Sequence, residues 1–517
     1  MGVVVETREG RLAGVERRGI HLFRGIRYAR PPVGALRFQP PQPPEAWGGI
    51  RPAEEVGPAA TQPSPPLVGW ARGLLGTRSA GTGEDCLRLN VWTPGCDGAR
   101  RPVMVWLHGG AFLFGTGATS LYAGGPLART GDVVVVTLNY RLGALGYLHL
   151  SELLGHEGPV ASNCGLRDQI AALRWIRENI EAFGGDPRNV TVFGESAGAM
   201  SVGALLGAPE ARPLFHRAIL QSGACHNVAS SHRATGVAEF FLNELGLHPT
   251  HDDAAKLLEL PVEALLHAQG RTLRRLGFAT GGLPFQPAVD GEVLPLAPLE
   301  AVAKGDVAGI PILAGTNRDE WKLFTLGDRR ARRLDEAGLL ARIAKLLPGR
   351  DADGRRRAQR ALEVYRRARL GRGELSPFEM WVAFQSDRIF RYPATRLAEL
   401  QAPHEARTFA YLFTWTPPLL RDRLGACHGL EIPFVFGTLK HPALRPLGLA
   451  GGAELSRRMQ HAWLAFAHTG DPSSDGAGAW EPYDGDARAT MVLGRRCFVE
   501  EAPLEAEREF WDGREVF

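Results

Sequence analysis

Short β-branched and aliphatic runs alternate with longer stretches of helical spacing through the first half of the chain. Val103–Leu107, Val133–Leu138 and Val190–Phe193 are continuous apolar runs of strand length, as expected of strands buried on both faces. Between the second and third lies a helical stretch, Leu166–Phe183, in which Ile170, Leu173, Ile176 and Ile180 recur at three- and four-residue intervals. That spacing makes one apolar stripe for packing on a sheet. The opening residues Met1–Arg8, then Ala218–Leu220, Ile310–Ala314 and Phe409–Phe413, extend the strand series. Strand and helix in alternation predict an α/β fold with a large, mostly parallel central sheet flanked by helices. No linker divides the chain, so residues 1–517 are read as one domain. Insertions near 60–83, 230–280 and 326–400 are expected to form loops and helical walls around its site.

One strand runs into a motif that carries chemistry. Val190–Phe193 leads directly to Gly194-Glu195-Ser196-Ala197-Gly198, and the small residues Ala199–Gly207 that follow suit a helix. A Gly-x-Ser-x-Gly turn between strand and helix forces the central Ser into a strained backbone conformation, which only small flanking residues permit. Ser196 is thereby predicted to be a nucleophile at the carboxyl edge of the sheet. A serine that attacks a carbonyl needs backbone N–H donors for the developing oxyanion. His108-Gly109-Gly110-Ala111, directly after the strand Val103–Leu107, can supply two of them from Gly110 and Ala111, and Ala197 a third.

The nucleophile also needs an imidazole base oriented by a carboxylate, in the chain order Ser, acid, His. His428, in Gly425-Ala426-Cys427-His428-Gly429 after the strand Phe409–Phe413, is the candidate base, and its glycine-flanked surroundings predict a flexible loop. For the acid, Ile310–Ala314 ends in Gly315-Thr316-Asn317-Arg318-Asp319-Glu320. Spacing alone leaves Asp319 and Glu320 equally placed.

Composition narrows the partners. Lys plus Arg number 60 against 56 Asp plus Glu, a net charge of +4. The basic residues are scattered or in short clusters such as Arg355–Arg357, read as solvated helix faces, so neither a nucleic acid nor another polyanion is implied. The acid and base at Glu6 and Arg8 interrupt any leader-like apolar stretch, and Val133–Leu138 is far too short to cross a membrane. A soluble, cytoplasmic protein is expected. The six Cys lack CxxC spacing or a Cys/His cluster, which predicts reduced, mostly buried thiols and no metal site.

Along almost its whole length the chain resembles the type-B carboxylesterase and cholinesterase family, especially its bacterial para-nitrobenzyl-esterase-like members. The resemblance is carried by Phe23–Ala29, Pro31–Gly34, Glu84–Val91, His108–Phe112, Asn139–Arg141, Phe193–Gly198, Gln221–Gly223, Asn317–Glu320 and His428-Gly429-x-Glu431. It implies an α/β-hydrolase fold and a Ser196–Glu320–His428 triad, so Glu320 rather than Asp319 is the acid. Gly110, Ala111 and Ala197 are implied as oxyanion donors. Two auxiliary roles follow: Ser222 hydrogen-bonds to the acid, and Glu195 acts as an electrostatic or water-holding group. Where relatives join the Cys matching Cys86 to an upstream Cys, no Cys precedes it here. The choline-binding Trp has Gly76 in its place, with Trp70 off register, and Trp321 stands where many relatives have Gly, either reshaping the pocket wall or filling the core, of which core filling is the reading held.

The implied chemistry is hydrolysis of short- to medium-chain carboxylic esters through an acyl-enzyme, with no metal or organic cofactor. The partner is then a small ester, with neither nucleic acid nor membrane, and a monomer is the default oligomeric state. The alternatives are an amidase, carbamate hydrolase or lactone hydrolase on the same triad, and, more distantly, a non-catalytic adhesion or binding protein.

Overall fold

The computed structural model describes residues 2–63, 81–277, 282–347, 352–370 and 376–513. Trp70, Gly76 and most of the 60–83 stretch lie outside them. Among the described residues thirteen strands form one sheet. In chain order they are β1 (Val3–Glu6), β2 (Arg11–Arg17), β3 (Ile20–Arg27), β4 (Ile50–Pro52), β5 (Arg88–Thr93), β6 (Arg101–Leu107), β7 (Val134–Leu138), β8 (Gly185–Glu195), β9 (Arg217–Gln221), β10 (Ile312–Asn317), β11 (Thr408–Phe413), β12 (Thr490–Leu493) and β13 (Cys497–Glu500). Their spatial order is β1-β2-β3-β5-β7-β6-β8-β9-β10-β11-β12-β13, with β4 beside β2.

The block from β7 to β12 is parallel throughout. The strands β1, β2, β3 and β5 on one side and β13 on the other pair antiparallel. The mainly parallel sheet expected from the apolar runs is therefore the centre of a mixed one. Strands covered on both faces read as unbroken apolar runs, whereas a border strand such as β2, with its mix of buried and exposed positions, does not announce itself in the same way.

Side chains alternate between two cores. Val103, Val105 and Leu107 of β6 join Ile170, Leu173, Ile176 and Ile180 of the helix Cys164–Asn179 and the 3₁₀ turn that extends it to Phe183. Met104 and Trp106 point to the opposite face, where the helix Ala453–Thr469 contributes Leu455, Met459, Trp463 and Phe466. Among the described residues, the stretches 230–280 and 326–400 are largely helical. Phe241, Leu242 and Leu265 of the first pack with Phe112, Leu145 and Phe390, and the second builds its own cluster around Leu339, Tyr365, Trp381 and Trp511.

Strand register decides where the site lies. Gly194 is level with Leu107, Glu195 with Gln221, and Gln221 with Gly315. The carboxyl ends of β6, β8, β9 and β10 therefore open on one edge, where His108–Ala111, Ser196, Ser222 and Asn317–Glu320 follow. Asn317 is in turn level with Phe413, at the end of β11, and the segment carrying His428 leaves from there. The carboxyl edge of an open parallel sheet is where such folds place their sites. All six cysteines are unpaired, with Cys86, Cys164, Cys225 and Cys427 buried. No helix among the described residues is long and apolar enough to cross a membrane.

Candidate active site

Ser196 sits at φ 56° and ψ −127° between β8 and the helix Ala197–Gly207, a conformation costing an L-residue about 1–3 kcal/mol. The surrounding backbone enforces it. A Cβ on Gly198 would come within 2.0 Å of the Leu107 carbonyl oxygen, and one on Gly194 within 2.5 Å of the Gly198 backbone. The bend is pinned from both sides: the Ser196 N–H donates to the Gln221 carbonyl at 2.9 Å, and the Ser196 carbonyl accepts from the Met200 N–H at 2.9 Å.

The His108–Ala111 loop lies directly over this bend. A Cβ on Gly109 would fall 3.0 Å from Ser196 Cβ, and Gly110 adopts φ 120° with no room for a side chain against the Phe114 carbonyl. Ala111 and Phe112 take left-handed conformations, with φ 56° and 58°. The backbone N–H groups of Gly110, Ala111 and Ala197 donate to no acceptor among the described residues; that of Ala197 is one of the donors a helix start leaves without an internal partner. His108 is buried and stacked 4.6 Å from Tyr140, whose hydroxyl donates to the His108 carbonyl at 2.7 Å. Burial pushes its imidazole down to about 4, so His108 is neutral and anchors the loop.

The residues predicted as acid and base meet at short range. His428 Nδ1 lies 2.7 Å from Glu320 Oε2, and the other oxygen of Glu320, which is fully buried, accepts from the Asn317 N–H at 2.7 Å. The competing carboxylate has other work. Asp319 accepts from the Ala426 N–H at 2.8 Å and from Arg318, while its own N–H donates to the Ala426 carbonyl. Burial opposes its charge, but Arg318 and Lys322 outweigh that and hold the carboxyl below its ordinary range. The glycine-flanked loop around His428, expected to be flexible, is thus zipped to the acid turn; Gly425 at φ 53° leaves no room for a side chain beside Asp319. Behind the acid, the Asn317 amide donates to the Cys427 carbonyl and to buried Glu431, and Glu431 also accepts from Gln221.

Glu195 occupies the remaining face of the base. Its Oε1 is 3.2 Å from His428 Nε2, the nitrogen opposite the one facing Glu320. Burial raises the Glu195 carboxyl to about 8. Burial works against a charged His428, but the carboxylates of Glu195 and Glu320 outweigh it and raise the ring to about 9. The Ser196 hydroxyl makes no hydrogen bond to His428 among the described residues; nucleophile and base are neighbours through Glu195, the residue preceding Ser196. The Ser222 hydroxyl is buried without a hydrogen-bond partner, so the bond to the acid implied by resemblance is not formed here.

Known proteins resemble the chain over almost its whole length. Residues 2–511 fit the model of the carboxylesterase family. The chain belongs to that family. It is 39% identical to the para-nitrobenzyl esterase of Bacillus subtilis over 98% of each chain, and 36% identical to the phenmedipham hydrolase of Pseudarthrobacter oxydans over 95% of each. The crystal structure of a Geobacillus stearothermophilus carboxylesterase superposes with a TM-score of 0.85 at 40% identity, covering 98% of this chain and 100% of that one. The fold is accordingly the α/β-hydrolase fold, and the protein is a carboxylic-ester hydrolase.

In this carboxylesterase an aromatic wall that sequence reasoning missed borders the base. Phe390 lies 4.6 Å and Phe324 5.2 Å from the His428 ring, with Trp321 4.8 Å from Phe324. Trp321 is partly buried between two clusters, and its backbone N–H donates to Ser386 Oγ at 3.1 Å. Its neighbourhood was signalled by the motif ending at Glu320. Phe390 carried no signal, because it comes from the π-helical turn Asp387–Arg391, 38 residues before the base.

Proposed function

We propose that Ser196 is the nucleophile of this esterase, His428 its general base and Glu320 the acid that orients the base. The supporting observation is the 2.7 Å contact between Glu320 and His428 Nδ1, made beside a serine whose backbone bend admits no alternative side chain at either flanking glycine. Glu320 accepts a hydrogen bond from Nδ1–H and so fixes the tautomer whose Nε2 lone pair can take a proton. Ester entry then brings Ser196 Oγ to Nε2. The hydroxyl proton passes to His428 as Oγ bonds to the carbonyl carbon, and the free amides of Gly110, Ala111 and Ala197 receive the oxyanion. The alkoxide leaves with the proton from His428, giving an acyl-enzyme. Water attacks it with His428 again as base, and the acid is released.

The substrates are short- to medium-chain carboxylic esters, held against the apolar wall of Phe324, Phe390 and Trp321. The test is a rate series over para-nitrophenyl esters of rising acyl length, with Ser196→Ala and stoichiometric labelling by an organophosphate. Rates that peak at short to medium chains, vanish in Ser196→Ala and titrate with one label on Ser196 support the reading. Undiminished turnover in that variant, or a label elsewhere, overturns it.

A further inference from the structure

The small net charge of the chain hides a strong asymmetry. Residues 326–370 hold 14 Lys plus Arg against 6 Asp plus Glu, so this stretch carries +8 and the rest of the chain −4. Four of its arginines, Arg329, Arg330, Arg332 and Arg333, are exposed on the turns after Phe324. None of the four is in an ion pair among the described residues, because the local acid Asp328 is taken by Arg342 at 3.4 Å. Arg332 lies 5.7 Å over the Phe378 ring.

Their position relative to the site follows from Phe324. Its ring is 5.2 Å from the His428 ring while 43% of the residue remains exposed, so it stands where the site opens to solvent. The four arginines are five to nine residues further along and can lie no more than about 18 Å (Arg329) to about 32 Å (Arg333) away at full extension; the 3₁₀ winding through Thr325 shortens the span. Unpaired cations at the mouth of a pocket with an apolar wall raise the local concentration of anions and speed their arrival.

We propose that Arg329, Arg330, Arg332 and Arg333 form a cationic collar at the entrance that selects esters bearing a carboxylate remote from the scissile carbonyl. This rests on the Ser196 mechanism and names a substrate class for the same site. The ester enters acyl chain first, the apolar wall takes the methylenes, and the distal carboxylate stays at the rim, where it pairs with guanidinium groups without being desolvated.

The experiment compares the para-nitrophenyl monoester of glutaric acid with the neutral para-nitrophenyl valerate, over salt from about 20 mM to about 500 mM, a range across which the screening length falls from well above to well below 10 Å. In the wild type, kcat/KM for the carboxylate ester falls at least about tenfold over this range while that for the neutral ester stays within about twofold. The quadruple variant R329Q/R330Q/R332Q/R333Q loses the advantage at low salt and keeps its rate on valerate, which reports intact folding; the corresponding Lys variant restores it. A second variant, R355Q/R360Q/R367Q on the outer face of the helix Ala352–Ala368, leaves the ratio within about twofold. Equal salt dependence for both esters, or equal loss in the second variant, overturns the collar. Absence of Ser196-dependent turnover on valerate sinks the underlying mechanism instead, so the two failures are distinct.

Discussion

The two halves of this active site are built by different means. The nucleophile half, Ser196 with the His108–Ala111 loop, is held by backbone: glycines where a Cβ would collide with a carbonyl, left-handed residues, and main-chain hydrogen bonds to Gln221 and Met200. The acid–base half is held by buried side chains: Glu320, Asn317, Glu431 and Asp319 around His428. Steric rules govern the first half, and it tolerates no change of volume. Charge governs the second, so changes of protonation and of hydrogen-bonding type matter more there than changes of size.

The largest contrast is expected between the two adjacent acids. Glu320→Gln keeps the shape but offers an amide N–H to Nδ1, which drives the ring to the tautomer that cannot accept a proton at Nε2. kcat on a para-nitrophenyl ester should fall about ten-thousandfold with little change in thermal midpoint. Asp319→Asn should do the reverse: the Ala426 tie weakens, the urea midpoint drops by an amount equivalent to about 1–3 kcal/mol, and kcat stays within about tenfold. If the two variants exchanged these phenotypes, the acid would be misassigned.

That pair of residues also shows how far the sequence could be read. The centre of the sheet was legible because parallel strands covered on both faces must be apolar throughout, and the backbone bend at Ser196 was legible because its constraint is local: two glycines, a strand before and a helix after. The acid was not, because Asp319 and Glu320 share one turn and differ only in what lies across it, 107 and 108 residues away. Resemblance pointed to Glu320, which of the two is the one within hydrogen-bond reach of His428. Phe390 was invisible for the same cause, being brought to His428 by tertiary packing. The His428 loop was read as flexible because glycines suggest freedom; here Gly425 is required by the close approach of Asp319.

Next in size is a break in the backbone-built half. Gly198→Ala places a methyl 2.0 Å from the Leu107 carbonyl oxygen, on a strand fully buried in the sheet, and neither partner can yield. The variant should lose about 3 kcal/mol or more of stability in urea titration and most of its activity together. A substitution of similar size in the other half, Gly429→Ala, meets Glu195 only at 3.5 Å. Its cost comes from the φ of 72° alone, about 1 kcal/mol by the same measurement.

The charge-built half should respond to pH where the other does not. Glu195 is among the groups that raise His428 to about 9, and activity requires the neutral ring, so kcat/KM rises with pH as that proton leaves. Glu195→Gln removes the neighbouring negative charge, the imidazole gives up its proton more easily, and the acid limb of the kcat/KM profile should move to lower pH by at least about one unit. A limb that stays in place, or moves to higher pH, would show that Glu195 does not stabilise the imidazolium.

The smallest effect expected is also the one that separates structure from resemblance. Ser222, at φ 53° on the turn after β9, has a buried hydroxyl with no partner, and an unmade hydrogen bond in a buried place is a cost rather than a contribution. Removing it should therefore be neutral or slightly stabilising: Ser222→Ala is expected to change the urea midpoint by less than about 1 kcal/mol and kcat by less than about threefold. A loss of about 2 kcal/mol with a falling kcat would mean that the hydroxyl does turn to the acid during turnover. Ser222 would then join Asn317 among the groups that hold Glu320 in place, and the boundary between the two halves of the site would run through the turn that follows β9.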